Sequence, residues 1–237
     1  GHPVYDPDFE PGKPRLLYSN IVPRVADFLH VNKPIRADLY LTTWDGGPSP
    51  PTPPMRVTEG GKGVILNHAS VHQICLTRNY LVIFNANLVL NTSSLIEPLT
   101  PLLWKWLVEN RTIEVPRNLR VLYRWLRIRM REATPDHVCP VYFIHKDDIR
   151  SALRSGAREI AAKRIDLMWE LTHALTDYDD DGDIITIFAQ HNVGADPADQ
   201  MEAGDRLVGG GTVPDTLLGM FSSATDLNQV RRHVVDL

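Results

Sequence analysis

Short runs of β-branched and aromatic residues recur along this chain, and each is closed by a cluster of Pro, Gly, Asn or Asp. That texture constrains the fold more than any other feature, because many short strands at regular turn spacing build a sandwich, a barrel or a propeller. Strands are expected at 15–22, 37–44, 64–68, 74–76, 80–84, 140–145, 171–176, 184–190 and 230–237. Between Trp44 and Met55 the sequence runs Gly-Gly-Pro-Ser-Pro-Pro-Thr-Pro-Pro. Proline fixes φ and removes backbone donors, so this stretch reads as a surface loop.

Two stretches depart from the β pattern. From Asn118 to Arg131, the residues Leu119, Leu122, Tyr123, Leu126 and Met130 recur at three- and four-residue intervals and share one helical face. Arg120, Arg124, Arg127 and Arg131 occupy the other side, with Arg117 just before it; Trp125 and the preceding Leu102-Leu103-Trp104-Lys105-Trp106-Leu107 add aromatic bulk. Such a surface can rest on anionic headgroups, or pack on the sheet with its arginines solvated. A second helix is expected around 148–162, which is rich in Ala, Arg and Glu.

Composition narrows the partners. The 43% hydrophobic and 23% charged residues are those of a globular chain with a core. A formal charge of −4 supplies no overall basic field, so no nucleic-acid partner is expected. Cys75 and Cys139 cannot make a disulfide framework and read as two buried thiols. The apolar run at 80–90 is interrupted by Asn85 and Asn87 and falls short of the ~20 residues of a spanning helix. The chain opens without an initiator Met or a leader and stops inside the apolar alternation Val-Val-Asp-Leu, so both ends are expected to be cut. Residues 1–237 are read as a single partial domain, cytoplasmic or peripheral to a membrane.

Nine histidines are candidates for metal binding, since neutral imidazole suits transition metals. His72 begins a strand followed by a tight turn at 77–79, and His173 lies in a strand that leads to the turn signal Asp181-Gly182. Two competing motifs are weaker. Asp177-x-Asp179-x-Asp181-Gly182 imitates the start of a calcium loop, yet the twelfth position is Phe188 and strands flank it. His68 and His72 are four apart, but on a strand rather than on a zinc-binding helix. His191 is expected at a strand end facing solvent; His30, His137 and His145 have no constellation.

The stretch from His72 through Ile74, Leu76-Thr77 and Asn79-Tyr80 to Phe84 resembles one hairpin of the carotenoid cleavage oxygenases, the family of carotenoid and lignostilbene dioxygenases and the retinal-pigment-epithelium isomerohydrolase. His173-Ala174-Leu175 with Asp177-Tyr178-Asp179 and Gly182-Asp183 resembles a second, although Ala174-Leu175-Thr176-Asp177 replaces the family's usual residues there. His2-Pro3, Asp6-Pro7, Gly12 and Tyr18-Ser19 resemble the segment that carries the family's first ligand. The run from Cys139 to Asp148 resembles a family strand ending in a basic-Asp-Asp/Gly turn.

This resemblance covers nearly the whole chain and implies a mainly β fold, part of a seven-bladed β-propeller with a few capping helices. It implies His2, His72 and His173 as ligands of iron(II), Fe(2+), with dioxygen and an apolar polyene or stilbene as reactants. The expected activity is cleavage of a carbon–carbon double bond in a carotenoid, apocarotenoid or stilbene. The family's fourth histidine has no counterpart here, since His233 matches a position that is not a ligand, so the chain alone is expected to be inactive. Peripheral membrane contact through residues 102–131 is also consistent with the family. The alternative is a non-catalytic propeller fragment that binds a lipid or protein partner without iron.

Overall fold

The computed structural model describes residues 3–29, 35–67, 71, 73–86, 138–168, 171–180, 182–191, 201, 204–217 and 229–237. The helix expected at 118–131, and the membrane contact expected through 102–131, lie outside them, as do His30, His68 and His137. The architecture is mainly β, with sheets that curl into a half-barrel.

The first sheet is built on β1 (Val4–Glu10), β2 (Lys13–Pro23), β3 (Ala37–Trp44) and β4 (Met55–Glu59), in that spatial order. The short strands β5 (Lys62–Gly63) and β6 (Ile65–Leu66) pair with β4 and β3. The middle sheet contains β7 (Gln73–Leu76), β8 (Tyr80–Phe84) and β9 (Val138–His145). After β9 the chain forms the helix α1 (Lys146–Ser155), adds β10 (Glu159–Ala161) parallel to β4, and returns as β11 (Lys163–Met168) beside β9. This excursion stitches the first two sheets together. The third sheet is the meander β12 (Leu171–Thr176), β13 (Ile184–His191) and β14 (Gln229–Asp236).

The alternation of side chains stacks these sheets. Leu81 and Ile83 of β8 and Tyr142 and Ile144 of β9 join Leu17, Leu39, Leu41 and Val57 in one core against the first sheet. Val82 and Phe84, with Cys139, Val141 and Phe143, turn to the opposite side and pack with Leu171, Ala174, Ile185 and Ile187 of the third sheet. A period of two therefore makes the middle sheet a wall shared by two cores. In each sheet the strand that comes first in the chain is an edge strand. Those edges adjoin: β1 lies beside β7, and β7 beside β12.

Several sequence expectations agree closely with the structure; β3, β8 and β12 have the expected limits. The Pro-rich stretch is a surface loop, pinned where Thr52 N donates to Thr43 O at 2.8 Å. The helix expected around 148–162 is corrected: it begins at Lys146 and stops at Ser155. His145 caps its start by accepting from Asp147 N at 3.1 Å, and Gly156 ends it at φ 67, a left-handed conformation that costs glycine little. Ile160 beyond it is buried in the first core, and this burial favours strand over continued helix. The strand β1 is not among the expected ones, and it contains Pro7, which cannot donate to a ladder. As an edge strand, β1 tolerates a residue without an N–H.

Candidate functional site

The adjoining edges of β1, β7 and β12 surround an open hollow of about 460 Å³. Val4 of β1, Gln73, Ile74, Cys75 and Leu76 of β7, and His173, Leu175 and Thr176 of β12 line it. Val4 follows His2 by two positions and Gln73 follows His72 directly. His2 and His72 themselves lie outside the described residues.

His173 reaches the hollow through a local irregularity. Leu171 pairs with His191 while His173 pairs with Gln190, so the register shifts between Leu171 and His173. A bulge of this kind reverses the side on which the following residues fall. Without it His173 would share the face of buried Leu171. With it, Ala174 joins Leu171 in the core, and His173 and Leu175 face the hollow.

No β-ladder joins β7 to β12, since they belong to different sheets, and hydrogen bonds from side chains supply links along the two strands. Ala174 N donates to Gln73 Oε1 at 3.1 Å and Thr176 Oγ1 donates to Leu76 O at 2.9 Å. The Cys75 thiol donates to Ala174 O at 3.3 Å, and burial pushes its pKa up to about 11. It is thus a protonated donor rather than a nucleophile at neutral pH.

A polar junction lies at one end of these strands. The turn between β7 and β8 meets the loop between β12 and β13: Thr77 Oγ1 donates to Asp180 Oδ2 at 2.5 Å, Asn79 N to the same oxygen at 2.9 Å, and Asn79 Nδ2 to Asp180 Oδ1 at 2.9 Å. Arg78 N donates to Tyr178 O at 2.7 Å, and the Arg78 guanidinium pairs with Asp179. The Tyr80 hydroxyl donates to Asp183; burial first, and that carboxylate second, hold the phenol well above its ordinary pKa.

The first sheet joins the junction through a buried ion pair, Lys146 Nζ to Asp6 Oδ2 at 2.7 Å, with side chains 1% and 0% exposed. The two groups are in ionic contact without the alignment of a hydrogen bond. The ammonium also stands 5.5 Å from the centre of the Tyr178 ring, and Lys146 N donates to Asn79 O at 2.7 Å. Asp6, Thr77, Asn79, Tyr80, Lys146, Tyr178 and Asp183 all belong to the motifs quoted from the sequence. Up to 177 positions separate them in the chain, from Asp6 to Asp183, yet they interlock at one place.

Of the carboxylates in the calcium-loop motif, Asp179 pairs with the Arg78 guanidinium, and Asp181 lies outside the described residues. His191 is corrected too: it is 1% exposed, because it continues the inward face of Ile185, Ile187 and Ala189. Its Nε2 lies 2.8 Å from His233 Nε2, so the two rings form a hydrogen-bonded pair. Counting inward positions along β13 would have shown this from the sequence.

Among the described residues no three His, Cys, Asp or Glu side chains gather so as to hold a metal ion. Of the three expected ligands, only His173 is described, and it lines the hollow together with the chain neighbours of the other two. Among the described residues no helix is long and apolar enough to cross a membrane. No protein-family model matches this chain, and neither a curated protein nor a solved structure matches it.

Proposed function

We propose that His2, His72 and His173 are ligands of a non-haem iron(II) centre, in a dioxygenase that cleaves a carbon–carbon double bond of a carotenoid, apocarotenoid or stilbene-type substrate. One observation carries this reading. Three strands from three sheets bring Val4, Gln73 and His173 to the border of one hollow, and the first two are near chain neighbours of His2 and His72. Three stacked meanders, each starting at the inner edge, are also the order of successive propeller blades; the fold is read as part of a seven-bladed propeller.

Iron(II) held by neutral imidazoles keeps its double charge and supplies open positions where dioxygen can bind beside an alkene. The chain's own contribution is a donor set and a lining. His173 presents an imidazole on a strand whose bulge fixes the direction of the side chain. Val4, Ile74, Leu76 and Leu175 form an apolar border that matches a hydrocarbon and disfavours water.

Anaerobic titration of the chain with iron(II) tests the assignment. Substitution of His2, His72 or His173 by Ala should each weaken uptake by about tenfold or more, while His145→Ala leaves it unchanged. Uptake indifferent to all three would refute the ligand set. With three of the family's four histidines, the chain should turn over no apocarotenal; robust turnover would overturn the account of an incomplete centre.

A further inference from the structure

We infer that β14 is a self-pairing edge: two copies of this chain join their third sheets by an antiparallel, two-fold contact centred on Val234. This contact is independent of the proposed iron ligands. Among the described strands β14 has β13 as its one neighbour, so its other side is a row of backbone groups at the rim of the sheet. The register identifies the residues that supply them. Leu237 N donates to Asp183 O at 3.2 Å, which continues the ladder that pairs Val235 with Ile185 and His233 with Ile187. In an antiparallel ladder, residues that exchange hydrogen bonds alternate with residues whose N–H and C=O point the other way. Arg232, Val234 and Asp236 are of the second kind. Their side chains lie on the open face, because they stand opposite Phe188, Thr186 and Ile184, and Phe188 and Ile184 are each 44% exposed.

The outer edges of the other two sheets are poorer templates. β10 is three residues long, and on β11 Arg164 is already paired with Asp166 of the same strand. β14 has eight residues, and the sequence around Val234 is complementary to itself: Arg232 lies two positions before it and Asp236 two positions after. With the two Val234 residues opposite each other, Arg232 of each copy stands opposite Asp236 of the other. One contact thus makes two ion pairs, and the outward N–H and C=O groups of all three residues meet partners. A slide by four residues sets Arg232 against Arg232 or Asp236 against Asp236, and like charges directly opposite each other are unfavourable; a slide by two leaves Val234 opposite a charge. A contact that uses the same patch on both copies closes at two.

Sedimentation equilibrium of the full chain, in a concentration series reaching about 0.5 mM, should show exchange between the 26.7 kDa monomer and a dimer. Amide exchange at Arg232, Val234 and Asp236 should slow as the dimer fills. Arg232→Asp turns both ion pairs into like-charged pairs and should weaken the dimer by about tenfold or more. The exchanged double variant, Arg232→Asp with Asp236→Arg, restores both pairs and should recover it. Val234→Pro removes the central N–H, which faces away from β13, and should abolish the dimer while the far-UV circular dichroism of the monomer is kept. If Val234→Pro does not fold, the charge series decides alone, since Arg232 and Asp236 are both exposed. A wild type that stays monomeric throughout overturns the inference, as does a dimer that Arg232→Asp leaves unchanged or that the exchange fails to recover. Assembly beyond two copies, or pairing with a different protein only, overturns it as well.

Discussion

The middle and third sheets share a core but use their faces differently. All five residues of β8 are buried, with Leu81 and Ile83 on one side and Tyr80, Val82 and Phe84 on the other. In β13 burial alternates: Ile185, Ile187, Ala189 and His191 face inward, whereas Ile184 and Phe188 on the opposite face are each 44% exposed. Leu175 on β12 and Val234 on β14 extend that open face, at 65% and 57% exposure, and His173 lies on it next to the hollow. A sheet packed on both sides has little freedom to carry chemistry, and one packed on a single side can hold its shape while presenting reactive groups. The division of labour is a rigid wall beside an accessible edge.

The largest effect should arise where the sheets are keyed together. Lys146→Ala leaves Asp6 as a buried charge without its counterion, which is expected to cost about 3–5 kcal/mol of unfolding free energy in urea titration. Replacing both partners by apolar residues of similar size, Asp6→Leu with Lys146→Met, should recover most of it, since the desolvation of two charges disappears with their attraction. A double variant as unstable as the single one would mean that the pair specifies the junction rather than merely compensating itself.

Two leucines sharpen the contrast with identical chemistry. Leu81, fully buried in the middle sheet, should cost about 2–5 kcal/mol when changed to Ala, through lost transfer energy and a residual cavity. Leu175→Ala on the open face should stay within about 0.5 kcal/mol. Equal costs in denaturant melts would show that something covers the third sheet in solution. The thiols extend the comparison: burial raises Cys75 to about 11 and Cys139 to about 12. Neither should react with a disulfide reagent near pH 8 until the chain unfolds. Both favour the folded state below the unfolded value of 9.0, and that advantage is lost as pH rises through the folded values.

Much of this architecture was legible in the chain because burial imposes a period. The runs at 37–44, 80–84 and 171–176 carry enough β-branched and aromatic residues to declare themselves, and the observed strands have those limits. The bulge at Leu171 was not legible, since alternation alone puts Leu171 and His173 on one face and only the pairing with β13 reverses it. Nor was the Asp6–Lys146 pair: 140 positions apart, each residue reads as an ordinary surface charge until three sheets close over it. The roles of Thr77, Asn79 and Asp180 were hidden for the same reason. A motif quoted as a string gives no sign that its polar residues bind a second motif about a hundred positions away.

The smallest expected effect is a pH response confined to the third sheet. His233 pairs with buried His191 across β13 and β14, and burial, then the charge of Arg231, lower its pKa from 6.5. A lowered folded-state value means that folding favours the neutral ring, so this contribution is complete above 6.5 and is lost as pH falls through that value and below it. Carboxylates mostly titrate near pH 4, which leaves an interval between about pH 7 and about pH 5 in which histidines dominate. Urea midpoints measured across it should decline for the wild type and decline less for His233→Gln, whose side chain can still hydrogen-bond but carries no titrating group. An unchanged slope in that variant would place the acid response elsewhere, and would remove this pair from the differences between the two sheets.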